Sequence, residues 1–491
     1  MTIPTNLVAP LFTFDVQSGG AFSSETKAII LAHGLAAGSL GEGEIALCTS
    51  KTEARNLAGR GSMLETMFIG LLRNAPTQQI YLARVADSGT AEIRTITIGT
   101  PPAAGGQGVL QIAGNNVSVE LSAGMTANDL ATALAAATND FYDEYKGYSL
   151  PFTATAATNV VTLTARHKGT YATDIDVYVP VLDRVNAFSG LFTFATTTAG
   201  AGAPDLSDII AAMNDDMFEI IISAFGDAAN VALLKDFLNE DTGRWSYAQQ
   251  LYGHAFYPFT GTSAELVAKA ALQDNWHVTN ISMLANGGNA TPEYLRVACV
   301  VGTIAEWLGG GSSGDVSRNQ TGLVVQDVAA PRDRAYWMDY ATRNVLLKNG
   351  VSTLTVDGSG DVTIDKIITQ GMTTDDVPDT TFRDIQVPYQ LTYALKKFRA
   401  DLASEHGNKA IADDNPGNLD AISTVKDIKA TLYHSAAGMP GVIENPATFL
   451  SNLVVTRDSE NANRVNASLK IDVVNPLDIF AGVAKIYSQI N

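Results

Sequence analysis

Residues 333 to 369 constrain the fold most, because helix, turn and strand signals follow one another there without a gap. From Asp333 onward, Trp337, Met338, Ala341, Val345 and Leu346 recur three and four residues apart, which predicts a helix with one apolar stripe. Gly350 then supplies the residue that most easily takes the left-handed conformation at a helix end. Two runs rich in β-branched residues follow, 351–356 and 362–369, joined by Asp357-Gly358-Ser359-Gly360, whose glycines permit positive φ. The expectation is a helix feeding a buried core hairpin that carries Val351, Leu354, Val356, Ile364 and Ile367.

The chain before this stretch alternates in texture. Short apolar runs at 28–32, 44–48 and 79–85 read as buried strands. Between the last two, Ser62-Met63-Leu64-Glu65 matches the capping box that opens a helix, and Met63, Met67, Phe68, Leu71 and Leu72 form its stripe. From 91 to 200 the segments become short, Thr- and Val-rich strands around a single helix near 126–137. Strands at 217–223 and 278–284 and helices at 230–238 and 264–274 then restore the earlier pattern. A long helix is expected from Thr291-Pro292-Glu293 to Trp307, with Thr291 as N-cap and proline at the first helical position. Further helices are expected near 391–402 and 424–432.

The two ends differ from everything between them. Val8, Pro10, Phe12, Phe14 and Val16 share one face of a two-residue period; Val465, Ala467, Leu469, Ile471 and Val473 do the same, and a last strand near 482–489 carries Val483, Lys485 and Tyr487. Unpaired strand edges recruit other chains. Residues 464–474 either close the chain's own sheet or pair with a neighbour; 8–16 and 482–489 are expected to pair with neighbouring copies by β-augmentation. The fold class is therefore a mixed α/β (α+β) core domain built from discontinuous segments, with an inserted β-rich domain and extended N- and C-terminal β-arms. Its expected parts are an arm at 1–24, core at 25–90, an inserted β-rich domain at 91–200, core again at 205–463, and C-terminal strands and arm at 464–491.

Charge narrows the function. With 32 basic and 51 acidic residues the net charge is −19, which works against binding nucleic acid directly or resting on an anionic membrane. Cys48 and Cys299 sit in apolar runs and suit buried thiols in a reducing compartment. Neither a signal peptide nor a membrane anchor is expected, since the start lacks a basic and apolar leader and no run of about 18 apolar residues occurs.

No catalytic, cofactor-binding or metal-binding residue stands out. The Gly309–Gly314 loop follows a helix instead of preceding one and has no closing lysine, so it lacks the phosphate-cradling arrangement. None of His33, His167, His254, His277, His406 and His434 lies in a hydrolase motif, although an α/β hydrolase remains an alternative. The acids Asp375, Asp376, Asp379, Asp413 and Asp414 lack calcium-loop spacing. Lys396, Lys397 and Arg399 form the densest basic run, either a solvated helix face or a docking point for an acidic partner.

Several of these segments resemble the tail sheath proteins of contractile-tailed bacteriophages, Mu-like group. The likeness runs through Val8-Ala9-Pro10-Leu11-Phe12, Gly59-Arg60-Gly61-Ser62-Met63-Leu64-Glu65, Val160-Val161-Thr162-Leu163-Thr164, Arg343-Asn344-Val345-Leu346-Leu347-Lys348-Asn349-Gly350, and Asn475-Pro476-Leu477-Asp478. The resemblance implies a structural protein and not an enzyme, with no cofactor. It would stack as hexameric rings in a helical sleeve around a tail tube protein and contract from a metastable extended state. Baseplate and tail terminator proteins would be its other partners, and the virion tail, assembled in the host bacterial cytoplasm, its location. Lys396, Lys397 and Arg399 become candidate tube contacts. The sheath of a phage-derived injection device, a tailocin, has the same implied properties.

Overall fold

A computed structural model describes residues 26 to 486. Its centre is a six-stranded sheet of β1 (Lys27–His33), β2 (Ile45–Cys48), β3 (Gln79–Val85), β4 (Ile220–Ser223), β5 (His254–Gly261) and β6 (Val278–Leu284), in the order β6-β5-β4-β1-β3-β2. All neighbours are parallel except β2, which runs antiparallel to β3 at the edge. Ala28 to Ala32 are fully buried, as expected of an unbroken apolar run in a parallel strand covered on both faces.

The crossovers explain that burial. Helices α1 (Met63–Asn74), α2 (Ala228–Leu238), α3 (Ser263–Gln273) and α4 (Glu293–Leu308) connect or follow these strands. The path β1 to β3 and the path β4 to β5 to β6 run outward in opposite directions, so right-handed crossovers place α1 on one face and α2 and α3 on the other. Helix α4 returns to the first face and packs along α1.

Residues between the two halves of this sheet build their own layers. Phe192–Thr198, Ala91–Ile98, Val160–Lys168 and Phe152–Ala157 make one sheet in that order, Asn115–Leu121, Gly106–Ile112 and Val177–Tyr178 another, and helix Ala127–Asp140 packs on both. The chain leaves and returns side by side, with Thr90 bridged to Ala201. Gly89 is required there: its φ is +94°, and a Cβ would lie 2.1 Å from the Ala201 carbonyl oxygen.

The helix expected from Asp333 starts later. Asp333 caps only a 3-10 turn, Arg334–Tyr336, after which Trp337 is extended and its indole N–H donates to the Pro331 carbonyl at 2.8 Å. Helix α5 (Tyr340–Lys348) opens instead at Asp339, whose side chain accepts the Thr342 N–H at 2.7 Å. Its end follows the sequence. Gly350 has φ +75°, and Val351 N–H reaches back to the Leu346 carbonyl at 3.1 Å, closing the last turn.

The hairpin after it comprises β8 (Thr353–Val356) and β9 (Asp361–Lys366), with β7 (Val324–Ala329) on the far side of β9. Both strands are shorter than expected. At their base the Ser352 hydroxyl bonds both the N–H and the carbonyl of Ile368, at 3.1 and 3.0 Å, in place of ladder bonds.

The carboxyl ends of β1 and β4, where strand order reverses, are the usual ligand crevice of doubly wound sheets. Here side chains fill it. The His33 ring lies 4.7 Å from Phe225 and 5.4 Å from His167, which comes from the intervening sheet, and Asp87 stands 3.6 Å from each histidine. Burial lowers His33 to about 4 and also lowers His254 and His277.

Two outcomes are expected. Gly350→Ala should destabilise the fold by about 1 to 2 kcal/mol through the left-handed backbone, whereas Gly358→Ala, in open space, should change it by no more than about 0.5 kcal/mol; urea unfolding of both variants measures the contrast. His33, His254 and His277 hold a proton less readily when folded than at their ordinary value near 6.5, so the unfolded chain binds more protons below that pH. Stability should therefore fall as pH drops from about 6.5 towards about 4, with His33 contributing about 3 kcal/mol of the loss, and His33→Gln should flatten that part of the curve of unfolding midpoint against pH.

Candidate functional site

Strand edges are the first feature to locate, because they decide where another chain can add. The outer edge of β6 is covered by the base of the hairpin: Gln370 N–H donates to the Val278 carbonyl at 3.0 Å, Thr279 hydroxyl to the Ile368 carbonyl at 3.1 Å, and Ser352 N–H to Asn280 Oδ1 at 3.3 Å. Strand β9 is paired on both sides. Among the described residues, the outer edges of β8 and β7, and that of β2, carry no partner strand. Leu354, Ile364 and Ile367 face the main core; Val351 packs with Leu266, Ala270 and Leu346 in a satellite cluster; Val356 is half-buried.

The C-terminal region divides at Pro476. Val454–Arg457 and Val465–Ser468 form an antiparallel hairpin, Ile443 bridges to Val473, and Val474 N–H donates to the Val442 carbonyl at 3.0 Å. Residues 465–474 thus pair within their own chain. The regular strand stops at Ser468, and Leu469 and Ile471 pack only half-buried against the core.

A polar clamp follows. Lys366, at the end of β9, pairs with Asp384 at 2.9 Å and with Asp478, while Asn319 Nδ2 donates to the Leu477 carbonyl at 2.6 Å. Beyond it the chain is irregular as far as 486 and its apolar side chains face outward: Ile479 is 80% exposed, Phe480 89%, Val483 89% and Ile486 94%. Lys485 is also exposed. Val8, Pro10, Phe12, Phe14, Val16 and Tyr487 lie outside the described residues. Lys366 and Asn319 gave no signal in the sequence, because their partners are far along the chain.

The basic run lies on α6 (Gln386–His406) and is largely engaged within the chain. Lys396 donates at 2.8 Å to Glu219, a buried carboxylate that also accepts the Lys27 N–H at 2.9 Å. Lys397 pairs with Asp401 one turn on at 2.8 Å. Arg399 is exposed.

The histidines have structural partners. His167 Nε2 accepts the Met63 N–H at 3.0 Å, His254 Nε2 meets the Thr279 hydroxyl at 2.8 Å, and His277 faces Glu240 at 3.3 Å. His406 Nδ1 lies 2.8 Å from Ser423 Oγ, but its other nitrogen meets the Thr431 hydroxyl at 2.9 Å and no acid, and Ser423 is buried. That is not the orientation a serine nucleophile needs. Cys48 and Cys299 are buried free thiols. Among the described residues no cluster of His, Cys, Asp or Glu is placed to hold a metal ion, and no helix is long and apolar enough to cross a membrane.

Residues 199–369 match the phage tail sheath protein central domain, which takes in β4 to β9 and α5. Over 98% of its length the chain is 28% identical to a Mu-like prophage tail sheath protein of Haemophilus influenzae, 97% of which is covered. Among solved structures it is similar to a sheath tail protein of Desulfitobacterium hafniense, at 14% identity and TM-score 0.49 over 96% of this chain and 97% of that one. A sheath tail protein of Listeria innocua gives 14% identity and TM-score 0.48 over 92% and 93%. The chain thus carries the phage tail sheath central domain over residues 199–369 and is similar along nearly its whole length to a tail sheath protein.

Proposed function

We propose that this chain is the structural subunit of a contractile tail, polymerising as a helical sheath around a tail tube and contracting from an extended state to drive the tube through a host envelope. The observation that carries this is the end-to-end similarity to a tail sheath protein, from both sides of the inserted layers. On this reading its role is assembly and movement and not turnover, its partners are other copies, the tube, the baseplate and the terminator, and its place is the virion tail. The residues 91–200 form an outer domain, since an insertion between core and tube would obstruct sliding.

Extended arms link the copies. In support, the chain from Leu477 through residue 486 presents five large exposed apolar side chains, Leu477, Ile479, Phe480, Val483 and Ile486, with no covering element among the described residues. A helical assembly needs such a heterologous contact, in which a patch on one copy meets a different patch on the next. Open edges such as that of β8 are available sockets. Core-to-core contacts then change on contraction while arm strands persist.

Two experiments test this. Deleting 479–491 keeps Asp478 on Lys366 and leaves the hairpin Val454–Arg457 with Val465–Ser468 intact, so the protein should remain folded by circular dichroism but form no sleeves in negative-stain micrographs; deleting 1–18 should do the same. Normal sleeves from either truncation reject the arm mechanism. For the tube contact, Lys397→Glu with Arg399→Glu is the informative pair, since reversing Lys396 would also strand the buried Glu219. Co-sedimentation with tubes at low salt should weaken more than self-assembly, and equal weakening would reject a tube-facing role.

A further inference from the structure

A cavity of about 640 Å³ opens at the carboxyl edge of β4, β5 and β6, against residues 170–175 of the intervening layers. Its size lies within the range of small-molecule sites, roughly 300 to 1,000 Å³, and it opens at the carboxyl ends of three neighbouring strands, to one side of the filled switch point. The first turn of α4 forms part of its wall. Thr291, the residue expected to cap that helix, instead accepts the Ala329 N–H with its hydroxyl oxygen at 2.9 Å, and Pro292 takes the cap position with no side-chain acceptor. The N–H groups of Glu293, Tyr294 and Leu295 are therefore uncapped, at the positive end of a 16-residue helix.

Two cations share the cavity. Arg296 is 1% exposed; its Nη2 donates to the Thr260 hydroxyl at 2.7 Å, and its Nε has no partner among the described residues. Lys269 stands at the wall, 5.3 Å from the Phe259 ring centre, and donates to the Gly226 carbonyl. Three acids also line the space, and two are otherwise engaged. Asp227 caps α2 through the Asn230 N–H at 3.0 Å, and Asp174 accepts from Asn289 and, at 3.3 Å, from the Asn286 N–H. Glu293 and Asp174 both attract Arg296, and burial raises the Glu293 pKa against that attraction. Burial lowers both Lys269 and Arg296, against the opposing pull of Asp227 and Glu293 on the first and of Glu293 and Asp174 on the second.

We propose that this cavity is a binding site for a small tetrahedral oxyanion of the phosphate class, held by Arg296, Lys269 and the uncapped N–H groups of α4. The site stands apart from the arms and does not depend on the assembly reading.

Full-length protein titrated with sodium phosphate against chloride of matched ionic strength gives the test. The unfolding temperature should rise with phosphate, and calorimetry should show one saturable site per chain. Lys269→Met should weaken binding about tenfold or more, the scale of a lost charge-assisted bond, and Glu293→Gln should retain it. Arg296→Met should abolish binding if that variant folds; Lys269→Met keeps the test valid if it does not. No shift with phosphate, or the same shift in wild type and Lys269→Met, overturns the proposal. A response to succinate but not to phosphate overturns it too, in favour of a carboxylate site.

Discussion

Strand β1 pairs on both sides with segments far apart in the chain, and the rest of the core depends on that. Ile29 stands opposite Tyr81 on one side and Ile221 on the other. The sheet is therefore incomplete until the polypeptide has run out through residues 91–198 and come back. Such non-local pairing is entropically expensive to close. It requires the excursion to return its ends to one point, which the bridge between Thr90 and Ala201 and the close approach of Gly89 achieve. It also requires the excursion to bury its own apolar residues, and helix Ala127–Asp140 over two private sheets does so.

What could be read from the sequence was local. The β1, β3 and β6 runs, the hairpin turn, and the left-handed Gly350 each follow from a few adjacent residues. Errors arose where a side chain had a better distant partner. Thr291 does not cap α4 because Ala329 takes its hydroxyl, and the stripe from Trp337 does not become helix because the indole turns back to Pro331. The capping box at Ser62 is only half formed: its hydroxyl accepts the Glu65 N–H, but Glu65 reaches Gly61 and Arg55 instead of closing the box. Sequence separation likewise hid the cluster of His33, Asp87 and His167, and the Lys366 clamp, since nothing within a window of a dozen residues marks them.

The same contrast separates scaffold from contact surface. Within the core, polar side chains are used to finish edges: Ser352 replaces missing ladder bonds, and Thr279 and Asn280 tie the hairpin base onto β6. An edge closed this way, as that of β6 is, offers other chains little backbone to pair with. Beyond Asp478 that treatment stops. The side chains there are as apolar as core residues but lie in solvent, an arrangement that costs free energy in an isolated subunit and is recovered only by burial elsewhere.

Lys366 sits on the boundary between these two regimes. It belongs to the central strand of the hairpin sheet, so its position is fixed by pairing on both sides, and its ammonium holds Asp384 of the core and Asp478 of the departing segment together. A strand that is central cannot shift without breaking two ladders, which makes it a firm point from which the departing segment runs. The helix and hairpin around residues 340–366 therefore set where the C-terminal segment, with its exposed apolar residues, leaves the core.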